Sequence, residues 1–400
     1  MNIAAIDSAP ARVNVPRPVN PRVLASGLAV SLMLALYLMQ AFGWRQTALF
    51  LVGIGAGVVL YHAAFGFTSA WRNAVHTGRT AGLRSQLLML AVTALVFLPL
   101  LAQGELWGTQ LNGSVRPLSL AVVAGAFLFG LGMQLGSGCA SGTLFTVGGG
   151  SARMVVTLAA FVAGSVLGVF HRPTLDAAMP SLGPVSLQGQ LGTAGALALT
   201  FVLLAAVWIA AVRHERRRHG EAAPIGFSLQ GAGWLRGPWP LVAGALGLAA
   251  VNVATLTLAG RPWGVTSGFA LWGSKAAAAM GVDVASWPYW QGAAGDALQA
   301  SVFRDITSVM NFGIILGAFI AAGLAGRFAP VLRIPPRSLL AAVLGGILLG
   351  YGARIAYGCN IGAFFSGVSS SSLHGWVWLA AGFAGSALGT RLRPHFGLGN

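Results

Sequence analysis

GAFLFGLGMQLGSGCASGTLFTVGGGS, residues 125–151, and GGILLGYGARIAYGCNIGAFFSGVSSS, residues 345–371, are one pattern written twice. Set side by side without a gap, Gly125, Leu128, Gly130, Gly132, Gly138, Cys139, Gly142, Phe145 and Ser151 meet Gly345, Leu348, Gly350, Gly352, Gly358, Cys359, Gly362, Phe365 and Ser371. The chain holds 2 cysteines, and they take the same place in the two copies. A duplicated structure follows, with one thiol at the heart of each half.

Neither copy reads as one unbroken helix. Gly136, Gly138 and Gly142 crowd Cys139, and Gly358, Gly362 and Gly367 crowd Cys359. A glycine disfavours a helix interior by about 1 kcal/mol relative to alanine. The pattern predicts a helix, a break at the Gly-Cys step with Gly142 and Gly362 as breaking positions, then a short half-helix. The N-terminus of a half-helix presents free N–H groups and attracts anions. Ser141 and Thr143 in one copy, and Asn360 in the other, add donors. A single cysteine would read as small apolar packing. Two in equivalent glycine-broken places point to function.

Outward from the motifs the chain stays apolar. Hydrophobic residues make up 56% and charged residues 8%, where a soluble domain carries about 25% charge. Apolar segments at 24–42, 48–67, 86–102, 118–136, 154–171, 190–212, 238–259, 263–280, 308–326, 338–355 and 375–391 approach the ~20 residues that span a bilayer. All should be helices, because open strands leave backbone groups unsatisfied in lipid. The expected class is an all-α polytopic membrane protein. The 57 glycines are spread through these segments, which predicts close helix packing.

Polar stretches divide the chain. Residues 1–22 read as a disordered cytoplasmic tail, 23–212 as the first membrane repeat, 213–237 as a basic cytoplasmic linker and 238–395 as the second repeat. The formal net charge of +16 comes largely from arginines between spans and at the ends, including Arg72, Arg79, Arg84, Arg213, Arg216–Arg218, Arg327, Arg333 and Arg337. That is the cationic excess of cytoplasmic loops, and no nucleic-acid module accompanies it. Keeping these clusters inside requires that 263–280 enter and leave on the outer side. The Cys139 segment is then entered from the inside and the Cys359 segment from the outside. Sequence repeat with opposite orientation predicts two inverted-topology repeats with broken or re-entrant helices around the Gly-Cys motifs.

Lys275 interrupts an otherwise apolar segment, and an intramembrane lysine is a functional candidate. Arg354 and Gln134 occupy equivalent stretches before the two cysteines, and His62 reads as a packed core residue. The 8 acidic residues leave little for carboxylate catalysis or a cation site. No CxxC or Cys/His spacing suggests a metal, and no Walker loop suggests ATP drive. The expectation is a non-enzymatic protein without a cofactor.

GLGMQLGSGCASGTLF and GYGARIAYGCNIGAFFSG resemble the two repeats of the YeeE/YedE sulfur-transport family, and RPWGVTSGFALWGSKAAAAMGVDV resembles the opening of its second half. The likeness covers most of residues 48–395. It implies a bacterial inner-membrane protein taking up thiosulfate through a narrow path; the distribution of arginines puts both termini in the cytoplasm. It implies Cys139 and Cys359 as the path cysteines; the reading of the residues themselves adds Gly138, Gly358, Ser141, Asn360 and Lys275 to the expected substrate path. A small TusA-like sulfur-carrier protein is the implied cytoplasmic partner. Other readings are transport of a selenium or different sulfur compound, and a membrane sulfurtransferase or docking subunit. One departure is clear. Where the family commonly has RxRFCFxxAFRD, this chain has HAAFGFTSAWRN, with Gly66 at the cysteine and Ala64 at an arginine.

Overall fold

The computed structural model describes residues 18–226 and 233–399. The chain opens with α1 (Pro21–Phe42), α2 (Trp44–His62), α3 (Phe67–His76) and α4 (Ala81–Gln103). A small hairpin of β1 (Glu105–Leu106) and β2 (Thr109–Gln110) follows, then β3 (Pro117–Ser119). Next come α5 (Leu120–Gly136), α6 (Ala140–Gly148) and α7 (Ala152–Ala178), and β4 (Ser181–Pro184), which pairs antiparallel with β3. The rest is α8 (Leu187–His219), α9 (Leu241–Ala259), α10 (Thr266–Ala279), α11 (Ala293–Gln299), α12 (Ile306–Leu324), α13 (Pro336–Ile355), a π-helical turn (Asn360–Phe365) running into α14 (Ser366–Ser369), and α15 (Leu373–Leu392). Among the described residues, nine helical stretches are long and apolar enough to cross a membrane. The protein is an all-α polytopic membrane protein.

Every apolar segment falls on a helix. At 14 residues, α10 is about 21 Å long, short of the ~30 Å hydrocarbon core. Element order recurs from α1 to α7 and from α8 to α15, with α11 an addition. Packing recurs as well: α2 lies on α12 as α9 lies on α4, and α5 on α15 as α13 on α7. At the centre α5 and α13 run antiparallel, with Gly125 against Gly352 and Ala356, and Gly132 against Gly345 and Leu349. Glycine sets these distances. A Cβ on Gly130 would lie 1.9 Å from the Gly382 carbonyl oxygen, and one on Gly350 would lie 2.1 Å from that of Phe161. No side chain fits there without parting the helices.

Two boundaries differ from the sequence expectation. The tail ends before residue 22: α1 begins at Pro21, where the Asn20 side chain caps by accepting from the Val23 N–H and proline suits the first helical turn. Residues 1–17 lie outside the described residues. The basic cluster Arg213–His219, read as linker, is instead the last two turns of α8. The cause is Glu215, fully buried, which accepts from Thr80 N–H and Oγ1 and from Arg84 Nη2. A buried carboxylate with this many donors holds its turn in place, and Gly220 ends the helix.

Candidate functional site

The two Gly-Cys motifs adopt one backbone shape. After α5, Ser137 takes a left-handed conformation (φ 65°), and Cys139 is extended at φ −80°, ψ −172°. After α13, Tyr357 is left-handed (φ 61°) and Cys359 is extended at φ −96°, ψ −169°. Left-handed backbone costs a non-glycine residue on the order of 1–2 kcal/mol, so the surroundings must hold it. At the first break Arg153 donates to the Leu135 and Gly136 carbonyls, and Arg393 to that of Gln134. These are the open carbonyls at the end of α5, where cations are favoured.

Gly142 and Gly362 are not the breaks. Gly142 lies inside α6 and Gly362 inside the π-helical turn. A Cβ on Gly142 would sit 3.2 Å from Cys139 Sγ, and its N–H donates to that sulfur at 3.4 Å. Its small size serves contact with the thiol. Ser141 Oγ lies 3.5 Å from Cys139 Sγ, and Thr143 Oγ1 donates to the Cys139 carbonyl. In the second copy the Ala363 and Phe364 amides both reach the Cys359 carbonyl, at 2.9 and 3.4 Å. Such π-turns are frequent at functional sites.

Both thiols are 1% exposed and share one buried cluster. The π-turn touches α6. Phe364 stacks on Trp378 at 6.3 Å and meets Phe67 and Trp71 edge-on, at 6.3 and 6.2 Å. The Phe67 backbone lies against Cys139. The thiols thus border a buried centre closed by aromatic rings.

Above the second motif opens a vestibule of about 520 Å³ with Arg116, Arg172, Arg261 and Arg354 in its walls and Gly358 and Gly362 at its base; no acidic side chain lines it. Arg354 Nη1 donates to Tyr289 Oη at 3.0 Å, Arg261 Nη2 to Thr307 Oγ1 at 3.1 Å, and Arg172 stacks on Tyr357 at 4.2 Å. From outside the lining, Asp176 pairs with Arg172 at 3.1 Å. Enclosure by the walls, then the charges of Arg172, Arg354 and Arg261, lowers the Arg116 pKa from its ordinary value. Burial does the same to Arg261, against a smaller opposing effect of Asp305. Four guanidinium groups sharing one mouth, two of them facing a carboxylate from outside the lining, make a site for a multiply charged anion.

At the other end of α4 and α9 a second pocket of about 260 Å³ is lined by Ala64, Gly66, Ser69, Asn73, Arg79 and Leu241 among others. It opens beside the N-terminus of α4, and the vestibule beside the segment that follows its C-terminus. Of the two motifs, the Cys359 one lines the vestibule through Gly358 and Gly362; no residue of the Cys139 motif is among those that line the second pocket.

The remaining sequence candidates fall elsewhere. Lys275 Nζ donates to the Leu298 and Ala300 carbonyls and does not line the vestibule. It pins the 281–305 stretch. Gln134 Nε2 donates to Thr68 O and Ser386 Oγ, and His62 packs on Trp239 at 5.3 Å. Sequence reading missed Arg116, Arg172 and Arg261. Their signal was present: the spans place them on the loop side where the positive-inside rule depletes cations.

Residues 62–388 match the family described as Sulphur transport. A probable transporter YedE of Escherichia coli (strain K12) is 33% identical over 167 residues, 41% of this chain and 40% of that protein. A thiosulfate transporter TsuA of Spirochaeta thermophila is 29% identical over 352 residues, covering 82% of this chain and 92% of that protein. The TsuA of Escherichia coli (strain K12) is 25% identical over 292 residues, 65% of this chain and 70% of that protein. The match thus spans less than half the length of the YedE relative and nearly all of the Spirochaeta one.

Proposed function

The chain belongs to the sulphur-transport family, and from that premise we propose that it takes up thiosulfate or a related inorganic sulfur anion across the bacterial inner membrane. The path runs from the arginine vestibule past Cys359 and Cys139 to the second pocket. The carrying observation is that four guanidinium groups converge on a mouth whose base is Gly358 and Gly362 of the Cys359 motif. The antiparallel crossing of α5 and α13 supports two inverted-topology repeats. Arg213, Arg216–Arg218, Arg327, Arg333 and Arg337 belong on the second-pocket side, which makes that side and both termini cytoplasmic. A TusA-like sulfur carrier would receive the anion there.

Thiosulfate is a dianion with one soft terminal sulfur. The vestibule offsets its charge and raises its local concentration. In the buried centre a neutral thiol donates a weak S–H hydrogen bond to the soft sulfur. The aromatic closure at Phe364 must part for passage, so transport requires movement of the π-turn or of α3. The test is uptake of labelled thiosulfate by a bacterial host that lacks its own thiosulfate importer. Expression of the chain should produce accumulation well above the empty vector; accumulation equal to the vector removes the reading.

Lys275 separates structure from function in the same assay. Lys275→Met is expected to destabilise the fold by about 1–2 kcal/mol through loss of its carbonyl bonds, read as a lower Tm. The thiosulfate concentration for half-maximal uptake should not change. A raised half-saturation at unchanged Tm would return Lys275 to the path.

A further inference from the structure

We propose that Asn360 is the specificity-determining residue of the path, its buried amide kept without a protein partner so that it bonds the oxygen atoms of the passing anion. The proposal rests on the uptake reading above and deepens it.

Asn360 is 0% exposed, and among the described residues neither Nδ2 nor Oδ1 has a hydrogen-bond partner. A buried unsatisfied polar group costs about 1–3 kcal/mol, and native structures rarely keep one without a use. Asn252, equally buried, shows the ordinary solution: its Oδ1 accepts from Trp263 N–H, and its Nδ2 donates to Ser366 Oγ.

Position gives the orphan amide its meaning. Gly358, Gly362 and Ser366 recur every four residues and line the vestibule. Asn360 and Phe364 fall between them, on the opposite side of the turn. Phe364 meets Phe67 there, whose backbone lies against Cys139. Asn360 thus follows Cys359 in the chain and shares with Phe364 the side of the turn that faces Phe67. The equivalent residue of the first copy is Ala140, so the amide is no shared packing feature of the repeat.

The chemistry complements the thiols. An amide offers two N–H donors without charge. It can bond the oxygens of an oxyanion and still release it, as conduction requires. The cysteines then meet the soft sulfur. Hard donors on one side and thiols on the other orient an anion that has both kinds of end, such as thiosulfate, and favour it over sulfate.

The test uses the full chain reconstituted in liposomes, with thiosulfate-dependent uptake and Tm measured together. Asn360→Leu should raise the half-saturating thiosulfate concentration about tenfold, the equivalent of one lost hydrogen bond. Its Tm should hold or rise, because the orphan amide has no partner to lose. Asn360→Ala, which adds no bulk, should show the same rise in half-saturation. Asn360→Asp should abolish uptake through a buried negative charge. A Leu and an Ala variant that both saturate at the wild-type concentration overturn the proposal. A Tm lowered by several degrees in Asn360→Leu does so as well, and that readout is independent of thiosulfate. Failure of the wild-type chain to take up thiosulfate would instead remove the functional reading.

Discussion

Replacing Cys139 and Cys359 together by alanine is expected to cut thiosulfate uptake at least ~tenfold while Tm moves by only a few degrees. Each thiol lies in the buried centre, 1% exposed, where losing a weak donor to the anion is not made good by water. One such bond contributes on the order of 1 kcal/mol, so two account for a tenfold loss or more. The fold should tolerate the change. Cysteine behaves as a small apolar residue, and the Cys139 sulfur makes long contacts, to Gly142 N–H at 3.4 Å and Ser141 Oγ at 3.5 Å. Serine at both positions keeps a donor of similar size and should recover part of the uptake. Unchanged uptake in the alanine pair would mean that the path does not run between the thiols.

Neutralising Arg116 and Arg261 to methionine should lower uptake at limiting thiosulfate by one to two decades. Each guanidinium beside a dianion contributes on the order of 1–2 kcal/mol at the effective dielectric of a water-filled mouth. The loss should shrink as salt is added, since the screening length falls from ~30 Å at 0.01 M to ~8 Å at 0.15 M. The variants separate by stability. Arg116 faces Arg172, Arg354 and Arg261 with no acidic side chain in the lining, so removing its charge relieves repulsion and Tm should hold or rise. Arg261 bonds Thr307, and its loss should lower Tm slightly. A salt-independent loss would assign these arginines to structure.

The departure at Gly66 gains a physical reading. Gly66 lines the second pocket, one residue before Phe67, whose ring meets Phe364 of the Cys359 motif at 6.3 Å.

The chain alone determined the class and the duplication. Helix-length apolar runs and a charge content of 8% are one-dimensional properties, and two 27-residue motifs with matching glycines align by inspection. Positions decided by contacts across the fold were hidden. The backbone turns at Ser137 and Tyr357, not at Gly142 and Gly362, because helix-end capping and packing fix where a chain bends while glycine only permits it. Lys275 was read as a functional candidate, and its partners in the fold are carbonyls 23 and 25 residues away. The vestibule is the clearest case. Arg116, Arg172, Arg261 and Arg354 come from four separate segments, and only the packing of α7, α13, the stretch before β3 and the turn after α9 makes four scattered charges one field. Periodicity and composition report how each helix meets lipid. Which side chains share a cavity depends on helix crossings set by glycine contacts far apart in the chain, and that is a property of the assembled tertiary structure.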